Sequence, residues 1–213
     1  MHVLVIGAAG TTGRLVVRSL AENIQHLVKA MVRRTDQMAE MEKLGARPVL
    51  ADLEQDFSYA MNDVNAVIFA AGSGSSTGPE KTTAVDRDGA VKAIDLAVSH
   101  GIERFVMLSS MGADQPDAGP ESLRHYLQAK HDADLHLMKS GLSYTIIRPG
   151  ALTNEPGSGK IEAAARVENR TNSISRADVA EVLVQSLLAE KTESRIFEIT
   201  GGHVPISEAL SGI

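Results

Sequence analysis

Residues 3–17 read VLVIGAAGTTGRLVV. A short apolar run breaks into Gly7, Gly10 and Gly13, and the chain then turns apolar again at helical spacing. A strand that hands over to a helix leaves the first backbone N–H groups of the helix unpaired, at the positive end of its dipole. A phosphate binds there if the backbone can approach it closely. Gly7 permits the tight turn out of the strand, Gly10 removes a side chain that would block a diphosphate, and Gly13 lets the helix pack on the sheet. Ala9, Thr11 and Thr12 complete the turn, and the two threonines add hydroxyl donors. The spacing is G-x-x-G-x-x-G rather than G-x-G-x-x-G, but it follows a strand and opens a helix, the context that gives such glycines meaning.

Outward from this turn the chain alternates short apolar runs with longer amphipathic ones. Strands are expected at Val3–Ile6, Leu27–Val32, Arg47–Ala51, Ala66–Ala71, Arg104–Ser109, Ser143–Arg148 and Ile196–Thr200. Helices are expected at Gly13–Asn23, Met38–Leu44, Glu80–His100, Leu123–Ser140 and about Asp178–Leu188, the third with Ala84, Val91, Ile94 and Val98 inward. Apolar strands alternating with helices predict an α/β fold, a Rossmann-type doubly wound, mostly parallel sheet covered on both faces. Residues 1–213 read as a single dinucleotide-binding domain, with 151–175 and 201–213 as small substrate-side elements. The run AGSGSSTGP at 71–79 reads as a flexible loop beside a ligand.

Composition narrows the function. Among 213 residues 43% are hydrophobic and 23% charged, as in an ordinary globular chain. The net charge of −6 speaks against a nucleic-acid partner. No cysteine is present, so disulfides and thiolate metal sites are excluded. No apolar stretch is long enough to span a bilayer. Met1–Ile6 lacks the basic region and cleavage site of a signal peptide, so a cytoplasmic location is expected. The seven histidines show no metal-ligand spacing, so no metal is expected. G-x-S-x-G is missing, which removes the hydrolase reading of Ser109 and Ser110.

The end of the second strand should select the cofactor. An acid about 20 residues beyond the glycines would bind the ribose hydroxyls of NAD. MVRRTDQ places Arg33 and Arg34 there instead. Guanidinium groups suit a 2′-phosphate, so NADP(H) is expected over NAD(H). Asp36 in the same stretch keeps NAD as the lesser alternative.

With these segments in order, the whole chain resembles the short-chain dehydrogenase/reductase superfamily. More closely it resembles the atypical NAD(P)-binding branch that shares its fold with nucleotide-sugar epimerases/dehydratases, flavin and biliverdin reductases and NmrA-like proteins. The resemblance implies roles for further residues. Asp52 and Leu53 of ADL would cup adenine. Ala70, Ala71 and Gly72 would lie under the ribose and diphosphate. Pro149, Gly150, Ala151 and Leu152, in SGLSYTIIRPGAL, would lie along the nicotinamide and diphosphate. FVMLSS ends in Ser109 and Ser110, where the family keeps its serine, and HYLQAK gives Tyr126 and Lys130 in Y-x-x-x-K spacing. ISRADVAEVLV, residues 174–184, resembles the helix that closes the C-terminal part.

Residues i and i+4 share a helix face, so Lys130 sits beside the Tyr126 ring. An ammonium there favours phenolate and makes the tyrosine a general acid or base; Lys130 can also hold the nicotinamide ribose. Ser110, at a strand's carboxyl end, can bind the same substrate oxygen. The expected catalytic group is therefore Ser110, Tyr126 and Lys130, in an NADP(H)-dependent oxidoreductase acting on a small carbonyl or alcohol. Two alternatives stand beside it: a sugar epimerase/dehydratase, and an NADP(H)-binding sensor without turnover. The stretch from Ser110 to Tyr126 is shorter than in epimerase-like relatives, which implies a smaller substrate site. The asparagine that ordinary members use on the long fourth helix is absent; VDRDGAVKA shows Asp86, Asp88 and Lys92 instead. The substrate itself is set by the loops Met111–Glu121 and Ala151–Ser175, and the protein is expected to be a monomer or homodimer.

Overall fold

The computed structural model describes every residue except 24, 75 and 76. Its main sheet has nine strands. Seven of them are parallel, in the order β10 (Arg195–Gly201), β6 (Ser143–Pro149), β5 (Arg104–Leu108), β4 (Ala66–Phe69), β1 (His2–Ile6), β2 (Leu27–Val32) and β3 (Arg47–Leu50). Order 3-2-1-4-5-6 puts a topological switch between β1 and β4, and ligands of open α/β sheets bind outside the carboxyl ends there.

Alternate residues of each central strand feed opposite layers. Val3 and Val5, Ala66 and Ile68, Val106 and Leu108 face one core, shared with Val16, Val17 and Leu20 of α1 (Thr11–Glu22) and Val179, Val182 and Leu183 of α6 (Arg176–Gln185). Leu4 and Ile6, Val67 and Phe69, Phe105 and Met107 face the other, shared with α4 (Ala90–Ser99) and α5 (Glu121–Lys139). The period-2 side-chain direction of a strand makes both faces apolar at once.

Two strands beyond the seven expected extend the sheet. β8 (Lys160–Ala164) pairs antiparallel with β10, and β11 (Val204–Pro205) pairs antiparallel with β8. A separate parallel pair joins β7 (Leu152–Thr153) to β9 (Ile174–Ser175). α2 (Met38–Lys43) and α7 (Ile206–Ser211) complete the elements.

The expected single helix Glu80–His100 is corrected. It is α3 (Pro79–Thr82), a π-helical stretch at Thr83–Gly89, and then α4. The wider turn changes the phase, so the inward residues are Val85, Asp86, Ala90, Ala93, Ile94 and Ala97. Ala84 and Val91 are half-buried and Val98 is exposed, contrary to a uniform 3.6-residue reading. Two positions of the expected 71–79 loop, 75 and 76, lie outside the described residues.

Candidate functional site

The glycine turn is shaped by close backbone approach. Gly7 has φ +85°, and a Cβ on it would lie 2.6 Å from the Ala71 backbone at the end of β4. Any side chain there collides with main chain in a conformation L residues rarely adopt. A Cβ on Gly13 would strike the Gly7 carbonyl, so α1 can start this close to β1 only with glycine there. The Gly10 N–H donates to the Gly7 carbonyl at 2.9 Å, and Gly10 caps a helix that has neither a capping side chain nor an acid in its first turn. Helix α1 begins at Thr11, with Thr12 buried and Thr11 exposed. The first-turn N–H groups thus lack a side-chain acceptor, which fits a diphosphate.

A continuous line of contacts leads from this turn to the tyrosine. Gly7 lies against Ala71; a Cβ on Gly72 would come within 3.3 Å of the Asp86 carboxylate; and the Ser73 N–H donates to Asp86 Oδ2 at 2.9 Å. Asp86 Oδ1 lies 3.0 Å from Lys130 Nζ, and both side chains are almost fully buried, at 0% and 4% exposure. Lys130 Nζ also donates to the Leu108 carbonyl, the last of β5, at 3.3 Å. It stands 5.7 Å from the centroid of the half-buried Tyr126 ring. Burial disfavours the ammonium, but the Tyr126 oxygen, Asp86 and Asp134 together outweigh that and hold the lysine above its ordinary range.

A second buried set adjoins the first. Asp134, one turn beyond Lys130, accepts from Ser109 Oγ at 2.8 Å and from the Arg148 guanidinium at 2.9 Å. Burial pushes its carboxyl up from the usual range, against the pull of Arg148, Ser109 and Lys130. Ser109 is therefore committed to Asp134, while Ser110 is half-buried and, among the described residues, donates to the neighbouring Met111 carbonyl at 3.3 Å. Of the two serines, Ser110 is the one whose hydroxyl stands near the surface of the site.

The remaining expected residues fall around the same rim. Arg33 and Arg34 are both exposed beyond β2, and their N–H groups donate to Gln37 Oε1. The Arg34 guanidinium pairs with Asp36 at 3.0 Å, so of these two arginines Arg33 is the one without an acidic partner among the described residues. Asp52 folds its own loop, accepting from the Glu54 N–H at 3.0 Å, and Leu53 packs into the core against Gly89. Gly150, after Pro149, is tight against the Asn172 carbonyl, so the start of the 151–175 segment is backed by its end. Ala151 is exposed and Leu152 half-buried. Within that segment Arg170 pairs with Glu198 at 2.9 Å and reaches Asp114 of the 111–121 loop at 4.0 Å. The two loops expected to set specificity meet through that arginine.

Sequence reasoning missed three members of the buried network. Asp86 was visible only as the residue in place of an asparagine; Asp134 and Arg148 gave no motif. The repeat of Tyr126, Lys130 and Asp134 at four-residue intervals on one helix was the available signal for Asp134. His125 bonds the Thr83 hydroxyl at 3.0 Å and the Pro79 carbonyl at 2.9 Å, tying α5 to the start of the π-containing helix. Among the described residues no three His, Cys, Asp or Glu side chains are grouped to hold a metal. An open cleft of about 840 Å³ lies at the opposite end of the sheet, lined by His2, Asn62, Asp63, Asn65 and His100. Both histidines there bond main-chain carbonyls through Nδ1, and none of the expected site residues reaches it. No helix of the described residues is long and apolar enough to cross a membrane.

Comparison with known proteins identifies the family. The model of an NAD(P)H-binding family matches residues 7–190. The uncharacterized sugar epimerase YhfK of Bacillus subtilis is 47% identical over 99% of both chains. A Bacillus halodurans structure, provisionally named an NAD-dependent epimerase/dehydratase, is 43% identical, covers 100% of each chain and superposes with a TM-score of 0.97. The oxidoreductase ylbE of Lactococcus lactis is 28% identical over 100% of this chain and 96% of its own, with a TM-score of 0.89. From the glycine turn through to α6, this chain belongs to the NAD(P)H-binding family.

Proposed function

We propose that the protein is an NADP(H)-dependent oxidoreductase of the atypical short-chain dehydrogenase/reductase type, acting on a small carbonyl or alcohol. The observation that carries this reading is the buried Lys130 ammonium beside the Tyr126 ring, joined through Asp86 to the loop that backs the glycine turn. When bound, a nicotinamide supplies or accepts hydride. The rest is done by the chain. First-turn N–H groups of α1, with Thr11 and Thr12, hold the diphosphate. Arg33 meets a 2′-phosphate, with Arg34 supporting it while paired to Asp36. Asp52 and Leu53 border the adenine, Ala70 to Gly72 back the ribose, and Pro149 to Leu152 border the nicotinamide. Lys130 uses its remaining N–H for ribose hydroxyls. Tyr126 exchanges a proton with the substrate oxygen, and Ser110 orients that oxygen.

Residues 1–213 form one binding unit in this reading, with 151–175 and 201–213 shaping the substrate side, in a cytoplasmic monomer or homodimer. The epimerase/dehydratase alternative is supported by the names of two relatives and would use the same tyrosine with hydride returned each cycle. Calorimetry with NADPH and NADH, then a panel of carbonyls, quinones, flavins and nucleotide sugars followed by NADPH absorbance and product analysis, tests it. Uptake of NADPH and consumption with a carbonyl is expected. Uptake without any turnover points to the sensor, and no uptake of either coenzyme removes the reading.

A further inference from the structure

The most unusual group at the site is Asp86. It is fully buried, and it stands on a π-helical stretch. A π-turn adds a residue to the helical circuit and is frequent at functional sites. Here it rotates the Asp86 carboxylate inward, between the Ser73 N–H on one oxygen and Lys130 Nζ on the other. A buried ammonium beside a phenol would favour the phenolate. A carboxylate 3.0 Å from that ammonium opposes its field at the neighbouring phenol, since the two charges have opposite sign.

We propose that Asp86 is a positioning residue that, by neutralising Lys130, keeps Tyr126 a proton donor and so biases the site toward reduction of its substrate. This rests on the assignment of Tyr126 under the proposed function. In the reducing direction the phenol O–H bond breaks as the O–H bond of the product alcohol forms, and the electron pair stays on the tyrosyl oxygen. The hydride to the substrate carbon would come from a bound dihydronicotinamide, which would be left oxidised. Asp86 also links the cation to the Ser73 N–H after β4.

The other charged groups around α5 are answered elsewhere. Asp134 pairs with Arg148 from β6, Arg87 with Asp88 from the π-stretch, Asp95 of α4 with His136, and Lys81 of α3 with Glu54. Glu80 of α3, Asp117 of the 116–118 turn and His125 are exposed. Asp86 is thus the acid that contacts Lys130 directly, with Asp134 a second, Arg148-paired carboxylate one turn along the same helix.

The test uses the full chain without coenzyme or substrate. Three tyrosines and no tryptophan make tyrosinate absorbance readable, and subtraction of the Tyr126→Phe titration isolates the Tyr126 signal. In Asp86→Asn, which retains an acceptor for the Ser73 N–H, the phenolate signal is expected at a pH lower by about one unit or more, a tenfold change in the equilibrium. Asp86→Glu is expected to leave the signal near that of the parent chain. Asp86→Ser repeats the loss of charge and serves where the amide variant does not fold, with folding followed by circular dichroism. A folded neutral variant whose Tyr126 signal coincides with the parent's, or moves up, overturns the proposal. So does failure of both neutral variants to fold while Asp86→Glu folds, since Asp86 is then only structural. Because no coenzyme is present, a failed NADPH uptake and a failed titration are separate results.

Discussion

Strand β5 has a buried cation at each end, and the two are solvated in opposite ways. At its carboxyl end the Leu108 carbonyl accepts from Lys130, whose charge is met by Asp86 with Asp134 one turn away. At its amino end is Arg104 itself, 6% exposed, whose guanidinium donates to the Ser143 and Ser186 carbonyls and the Thr145 and Thr192 hydroxyls. Among the described residues no carboxylate pairs with Arg104; burial lowers its affinity for the proton, against the pull of Glu193. Lys130, with acids beside it, is shifted the other way. Neutral acceptors suffice where the task is to cross-link β5, β6, the end of α6 and the 190–192 turn. At the other end the ammonium beside the Tyr126 ring is paired with a carboxylate instead.

The comparison is sharpest in function. Tyr126→Phe is expected to lower turnover by about 10²–10⁴-fold, the usual contribution of a positioned proton donor, with NADPH affinity little changed. Arg104→Met should leave turnover within the range of a stability defect; equal losses in both variants, measured as kcat at a temperature where each is folded, would erase the distinction.

Stability comes next. Lys130→Met leaves Asp86 buried beside no cation and is expected to cost about 3–5 kcal/mol. Arg104→Met leaves only neutral acceptors unpaired and is expected to cost about 1–3 kcal/mol. Urea midpoints of the two variants measure the gap, and the reverse order would show that carboxylates are not what holds Lys130.

Cofactor choice separates two arginines at the rim. Arg33→Ala is expected to weaken NADPH about tenfold with NADH unchanged, one charge-assisted contact of about 1.5–3 kcal/mol less its solvent screening. Arg34→Ala should do less, since its guanidinium is already paired with Asp36. Calorimetric titration of both coenzymes reads this directly, and equal effects would mean that the Arg34–Asp36 pair opens on binding.

The smallest effect is the pH dependence. A lysine held above 10.5 in the folded chain contributes stability that is fully present below 10.5 and is lost as pH rises through its higher folded value. The stability difference between the parent chain and Lys130→Met is therefore constant through neutral pH and shrinks only above 10.5. A difference that already shrinks between pH 7 and 9 would show that the lysine is not so held.

The sequence by itself determined the parallel sheet, the glycine turn and the pairing of Tyr126 with Lys130. These are local patterns: period 2 in strands, four-residue spacing on a helix, and glycines where backbone must approach backbone, as Gly7 does to Ala71. Only the tertiary structure decided what surrounds the lysine. Asp86 reaches it across 44 positions and Arg148 reaches Asp134 across 14, after a π-turn that no residue spacing announces. It also added β8 and β11 to the sheet and committed the Ser109 hydroxyl to Asp134. Buried charges select partners by proximity in the folded core, where an unpaired charge is far costlier than in water; that selection exists only once the strands and helices have met.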